Sequence, residues 1–564
     1  MTTDPQSTSD MRGIKGRDAE PLFPPRSSSS HTAPPTRQPP SYHSTSSSSS
    51  PLLDPPRSPP CYPLDPEAMV AIVSKRRASK PFVLLGSAGL ALILVVLCAF
   101  SGNAEAASIS RSLLGLKQEL SKRTTTVSYA YNRMIANIGG ASPSGSSNQV
   151  PGVPAGTVIA APSTANPNYF YAWIRDAALT MKVVVSQGTL DRTLIENYIK
   201  VEKIHQQNSD GSASLGEPKF NPDGSRFTGP WGRPQNDGPA LRASTLIAYA
   251  KRIGLSDPLV TNTLYTPSLT GGSLIKTDLE YVSHHWQDSS FDLWEEVNGQ
   301  HFFNQAVSRR ALLDGAKFAT SLNDPGAASW YNQQAASIKT SMQSFWNSGS
   351  GYVTAYQGVG GRSGLDCAVM LGALRGWDTT TATAVDTTEF GPASDKILAT
   401  HKKYVDSFRS LYGINKGAAA PAAVATGRYQ EDVYDGVGTS RGNPWYICTL
   451  SSAEIINTAV SVFNSRGSIT ITSISLPFFQ QFASGLSTGT FAAGSSQFNN
   501  IITGMKTMSK GFVDIVQSHS WTNGSLNEEF NRDTGFNQGA RDLTWSYAAF
   551  VSNDGAANGQ FLKV

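Results

Sequence analysis

From Arg111 onward the chain keeps returning to one local pattern: apolar residues three or four positions apart, broken by long polar loops. The segments "AALTMKVVVSQG", "TLIENYIKVEKIHQQ", "PALRASTLIAYAKRIG", "SLIKTDLEYVSHHW", "NQAVSRRALLDGAKFATSL", "ASWYNQQAASIKTSMQSFW", "SSAEIINTAVSVFNS" and "QFNNIITGMKTMSKGFVDIVQSH" all show it, and "PFFQQFA" adds a shorter piece. That spacing is the 3.6-residue period of helices with one buried face, and few stretches alternate as strands do. A chain of 564 residues is too long for one small domain, but one large helical unit could use most of it. No period of about 34 or 40 residues recurs, which argues against a solenoid. The Gly/Pro/Asn-rich loops carry Trp, Arg, Asp and Glu, and long irregular loops in a compact domain tend to be working parts. The expectation is an all-α domain with functional loops gathered at one end.

The N-terminal part reads differently. Residues 1–80 are rich in Ser and Pro and cannot bury enough apolar surface to offset the entropy of ordering, so a disordered cytosolic tail is expected. Residues 81–100 hold no charge and have the length of a membrane-crossing helix, with Lys75, Arg76, Arg77 and Lys80 just before them. The positive-inside rule then makes this a single-pass type II signal anchor. Residues 101–125 form a stalk, and the helical domain at 126–564 faces outward or into the lumen of the secretory pathway or vacuole. Small residues in "AEAAS" leave later cleavage open. Lys plus Arg total 46 against 42 for Asp plus Glu. Most of that excess lies in the tail, so the basic balance does not point to nucleic acid. The four cysteines show neither zinc nor redox spacing, and Cys367 and Cys448 allow at most one disulfide in the main body. The His residues are scattered, and His284 and His285, the one adjacent pair, point apart on a helix, so neither a metal nor another cofactor is expected. A monomer is expected.

Five loop segments combine aromatics with Arg and carboxylates: "NPNYFYAWIRDAALT", "GEPKFNPDGSRFTGPWGRPQNDGPALRA", "FDLWEEVNG", "GRYQEDVYDGVGTSRGNPWYICTL" and "SLNEEFNRDTGFNQGARDLTWSYA". Sugars demand this mixture, because ring faces stack on aromatics while carboxylates and guanidinium groups bind vicinal hydroxyls. Cleaving a glycosidic bond takes two carboxyl groups, one to protonate the leaving oxygen and one to activate water or attack carbon. In "FDLWEEVNG", Asp292, Glu295 and Glu296 stand at i, i+3 and i+4, so a helical turn would gather them beside Trp294. Mutual repulsion and the indole would raise a carboxyl pKa, as a general acid requires. An acidic helix start or a cation site would use the same residues.

The five segments, in this order, resemble the fungal-type glucoamylases of glycoside hydrolase family 15 from about Ala130 to Gly559. The resemblance implies an (α/α)6 barrel with its active site in a loop-built funnel. It also implies inverting, exo-acting hydrolysis of α-1,4 and, more slowly, α-1,6 bonds of starch, glycogen or maltooligosaccharides, releasing β-D-glucose. Carried over by position, Glu295 matches the general acid and Glu528 the general base. Trp173, Arg175 and Asp176 match residues that hold the terminal glucose. Trp231 resembles a stacking tryptophan, Arg428 and Asp432 match further subsite residues, and Glu296 resembles a contact to the second sugar. Tyr169 and Tyr434 resemble the tyrosines beside the base, with Asp292 shaping the acid's pocket and Trp294, Trp445 and Trp545 walling the funnel. Asn527-Glu528-Glu529 stands where the family commonly has Ser-Glu-Gln, and Pro230 replaces a small residue. Cys448 resembles the family's unpaired cysteine, Asn523 begins a glycosylation sequon, and no separate starch-binding module is expected after the barrel. Trehalose or isomaltose/dextran-type substrates fit related barrels, whereas a non-catalytic glucan-binding membrane protein is disfavoured by the presence of both glutamates.

Overall fold

A computed structural model describes residues 125–209, 214–269, 272–377 and 390–560. The tail at 1–80, the membrane helix at 81–100 and the stalk up to residue 124 lie outside these residues. Thr125, assigned above to the stalk, is packed on the domain and donates a hydrogen bond to the Gly524 carbonyl at 2.8 Å.

The helices form two concentric layers. The inner layer contains α2 (Ile174–Val185), α4 (Asp237–Ile253), α6 (Phe302–Ser321), α8 (Cys367–Arg375), α10 (Tyr446–Arg466) and α13 (Thr544–Ala557). Each packs on the next, and α13 returns to α2, which closes the ring. Outside it, α1 (Val127–Ala136), α3 (Arg192–Asn208), α5 (Leu274–His285), α7 (Pro325–Met342), α9 (Asp395–Ser407) and α12 (Ser496–His519) lie against α13, α2, α4, α6, α8 and α10, with a short α11 at Leu476–Gln480. This is the expected (α/α)6 barrel.

Sequence patterns separate the layers. Outer α12 buries Phe498, Ile501, Ile502, Met505, Met508, Phe512 and Val516, a single stripe. Inner α10 is 21 residues long and apolar enough to cross a membrane, yet it is buried at the barrel centre because its neighbours cover it on every side. Inner α8 and α13 are buried along nearly their whole length. Neither belongs to the periodic segments identified above, although the equally buried α2 and α10 do. "LTWSYA", read there as loop, contains the start of α13.

The ends of the helices also differ. Thr126, Asp191, Asp324, Ser394 and Ser495 cap outer helices with side-chain hydrogen bonds. Of the inner helices, α2, α4, α6, α10 and α13 have no side-chain cap. Only α8 has one, from Asp366. The uncapped N-termini all lie at one rim, where long connections enter from the outer layer. Short antiparallel strands stiffen those connections: β1 (Ala172–Trp173) with β2 (Lys219–Phe220), β3 (Ser290–Phe291) with β4 (Asn298–His301), and later β5 (Glu529–Phe530) with β6 (Asn537–Gln538). Cys367 and Cys448 are both buried and free.

Candidate active site

Pairing of β1 with β2 puts Trp173 opposite Lys219, and α2 then starts at Ile174, so Arg175 and Asp176 occupy its first turn. Arg175 Nη1 donates to Asp237 Oδ2 at 3.0 Å and to Gln235 Oε1 at 2.9 Å. Its approach to Asp176 is longer, 3.7 Å, so Asp237 is the principal counter-charge. Burial pushes the Asp176 carboxyl up to about 6.

The acidic turn differs from the helical expectation. Asp292 to Val297 connect β3 to β4 as a hairpin loop, and Glu295 holds φ +67°, a left-handed conformation uncommon for a residue with a side chain. Asp292 Oδ1 accepts the Glu296 and Val297 amides at 2.8 and 2.9 Å, which fixes the loop. The three carboxylates therefore separate. Asp292 sits under the turn. Glu296 pairs with Arg428 at 2.8 Å and Arg362 at 2.9 Å, and accepts the Tyr429 hydroxyl. Glu295 turns to the cavity, where its Oε1 accepts Trp173 Nε1 at 2.7 Å and Gln235 Nε2 at 3.1 Å, with Arg175 Nη2 at 3.5 Å. Although burial opposes ionisation of Glu296, Arg428, Tyr429 and Arg362 hold its carboxyl below the ordinary value.

Glu528 enters from the strand side, just before β5. Its Oε2 accepts the Ala540 amide at 3.1 Å and the Tyr434 hydroxyl at 3.2 Å, and Tyr434 is linked to Tyr169 at 3.1 Å. Burial raises this carboxyl to about 7. Gly539, at φ +68°, is required here: a Cβ would lie 2.4 Å from Glu528 Oε2. The neighbouring Glu529 is fully buried, and neither carboxyl oxygen has a hydrogen-bond partner. Burial, with Glu528 beside it, pushes its pKa well up, which disfavours its charged form.

Glu295 and Glu528 face one cavity of about 370 Å³. Tyr169, Trp173, Arg175, Asp176, Trp231, Trp294, Glu296, Arg428, Tyr434, Trp445 and Trp545 complete its expected lining. Asp292 and Asp432 do not line it: Asp292 holds the turn, and Asp432 grips Arg428 through two hydrogen bonds of 2.8 and 2.6 Å. Sequence reasoning passed over Lys219, whose ammonium lies 3.6 Å from the Trp231 ring and 4.1 Å from that of Tyr171. Burial lowers its pKa to about 8. It also passed over Gln235 and Asp237, although "PQNDG" contained both, and Arg362, which lies outside all five segments.

The family model for "Glycosyl hydrolases family 15" matches residues 145–553, a span that includes every residue of this cavity. The chain belongs to glycosyl hydrolase family 15. Within the family it is 40% identical to Glucoamylase-1 of Schizophyllum commune over 79% of this chain and 77% of that protein. It is 42% identical to Glucoamylase 1 of Rhizopus oryzae over 71% and 67% respectively. Among solved family 15 structures, the Hypocrea jecorina glucoamylase superimposes with a TM-score of 0.69 at 39% identity, covering 77% of this chain and 71% of that one. The Saccharomycopsis fibuligera glucoamylase gives 0.69 at 33%, covering 77% and 94%. The chain is a glycoside hydrolase of this family.

The raised carboxyls of this family 15 barrel have a consequence for stability. Asp176, Glu528 and Asp366 are shifted up by burial, to about 6, 7 and 8. A carboxyl whose folded pKa exceeds its unfolded value stabilises fully below the unfolded value, and that contribution is lost as pH rises through the folded one. Lys182 and Lys219, lowered by burial to about 7 and 8, add stability with rising pH only above those values. His401, lowered by burial to about 4, offsets part of the carboxyl loss between about 4 and its ordinary value. Apparent Tm is therefore expected to fall by roughly 5 °C or more from pH 4.5 to pH 7, measured by scanning calorimetry; a flat or rising profile would contradict these assignments.

Proposed function

We propose that the enzyme is an inverting, exo-acting glucan 1,4-α-glucosidase that releases β-D-glucose from the non-reducing ends of starch, glycogen or maltooligosaccharides, cleaving α-1,6 bonds more slowly. The observation that carries this reading is that Glu295 and Glu528, from two separate loops, face one aromatic-walled cavity. Trp173, Gln235 and Arg175 direct N–H groups at a single oxygen of Glu295, which leaves the other to protonate the leaving glycosidic oxygen. Glu528, oriented by Tyr434 and the Ala540 amide, takes the proton of the attacking water. Inversion needs room for that water between the two carboxyls, about 6.5–9.5 Å. Trp231, Trp173 and Trp545 supply stacking faces, and Arg175 and Asp176 supply hydroxyl partners at the cavity. The names of the related glucoamylases support the α-glucan substrate.

Membrane attachment of a type II protein through 81–100, with the barrel facing outward or into the lumen, rests on the uncharged apolar run and its basic flank.

The test is the first product formed from maltoheptaose, followed by proton NMR before mutarotation. β-Glucose as the sole small product is expected. Initial α-glucose, early release of internal oligosaccharides, or no glucose from maltose would overturn the proposal.

A further inference from the structure

A second cavity lies on the barrel axis, on the far side of the inner helices from the candidate active site. All six inner helices line it, each roughly eight residues beyond its N-terminus, which places it about 12 Å along the axis from the catalytic rim. Its volume is about 60 Å³, space for several waters or one small ion. For an interior site its lining is unusually charged: Lys182 from α2, Arg310 from α6, Arg375 from α8 and Glu454 from α10, with Thr458 and Ser552 supplying hydroxyls.

The carboxylates here are already engaged. Glu454 accepts Arg375 Nη2 at 2.7 Å and Ser552 Oγ at 2.6 Å. Asp314, behind the wall, accepts Arg310 Nε at 2.6 Å. Lys182 is 8% exposed, and its hydrogen bond among the described residues is to a neutral acceptor, the Ser244 carbonyl at 3.2 Å. Arg375 Nε is buried without an acceptor. With Lys182 charged, the site holds three cations against two carboxylates, and burying such an excess is costly without a counter-ion.

We propose that this axial cavity binds a small monovalent anion of halide size, held between Lys182, Arg310 and Arg375. Binding is linked to the charge of Lys182. Burial lowers that ammonium to about 7, Arg310, Lys251 and Arg375 oppose its charge, and Asp314 favours it. Glu454 shares the cavity, and α13 contributes only the uncharged Ser552 and Ala556. An anion favours the protonated lysine, so affinity rises as pH falls below about 7 and weakens above it.

Two measurements on the native chain test this. Crystals grown in sodium bromide at pH 5.5 should show an anomalous peak among the three cations. A cavity holding only water would overturn the proposal. In solution, chloride at about 200 mM should raise apparent Tm by roughly 3 °C or more over sodium gluconate of equal ionic strength, because gluconate is too large to enter. The increment should shrink at pH 8.5. Lys182→Met should lose it while still hydrolysing maltose, since Lys182 lies outside the catalytic cavity. Equal effects of chloride and gluconate, or an undiminished chloride effect in Lys182→Met, would overturn the proposal. Should that variant fail to fold, the bromide map decides alone.

Discussion

Replacing Glu295 or Glu528 by Gln is expected to lower kcat/KM on maltose by about 10² to 10⁴-fold, the range that a positioned acid or base contributes. The two variants should then part company on α-glucosyl fluoride, whose leaving group departs without a proton. Glu295→Gln should recover most of its loss on that substrate, because only the proton donor is missing. Glu528→Gln should not, because the water still lacks its base. Apparent Tm should hold or rise in Glu528→Gln, which removes a carboxyl that burial already disfavours in its charged form. Steady-state kinetics on both substrates decides the matter. Retained maltose activity in either variant, or rescue of the wrong one, would reverse the assigned roles.

The second large effect is structural as well as functional. Arg428 is 3% exposed, bonds Asp432 in bidentate fashion, and pairs with Glu296 at 2.8 Å. It also lies 5.2 to 5.5 Å from the ring centroids of Trp445, Tyr434 and Trp294, so one guanidinium ties the acidic turn to the opposite wall. Arg428→Met should cost about 3–5 kcal/mol, because Asp432 is left buried and uncompensated. In a domain of this size that is a fall in apparent Tm of roughly 3 to 6 °C, with a several-fold rise in KM for maltose. Lys should not rescue it, since an ammonium cannot reproduce the two-point grip. Arg428→Met/Asp432→Asn should regain much of the stability but not the KM, because Glu296 would keep Arg362 and Tyr429 but still lack Arg428. An unchanged Tm in Arg428→Met would show that the pair contributes little.

Much of this architecture was legible in the chain because most helices of both layers place apolar residues at helical spacing. The regular apolar steps of α12 or α3 announce such helices directly. Inner α8, only nine residues long, and α13 were not among the periodic segments, although the equally buried α2 and α10 were. The count of six hairpins came from the family resemblance, not from periodicity. At the site, residue types pointed correctly to carbohydrate chemistry, but spacing misled at Asp292, Glu295 and Glu296. Positions i, i+3 and i+4 serve a hairpin turn as readily as a helical one. The choice was made by the Asp292 side chain capping two amides and by the left-handed Glu295 backbone. Lys219 escaped notice because the Tyr171, Phe227 and Trp231 rings gather around it only when the two loops fold together, which no local pattern reveals. Asp292 and Asp432 show a related ambiguity: a carboxylate that holds the frame looks the same in sequence as one that touches the sugar.

The uncapped starts of the inner helices share one rim, and most of the connections that reach them from the outer layer are long, such as 408–445 between α9 and α10 against 322–324 between α6 and α7. Five of the six connections that enter the inner layer supply residues to the catalytic cavity, and the described residues of the turns at the other end supply none. Lineages can lengthen, trim or exchange the former to recut the funnel for another glucan while the scaffold keeps its packing. The opposite rim is the natural place to graft a tag, a linker or a carbohydrate-binding module without disturbing what the barrel digests.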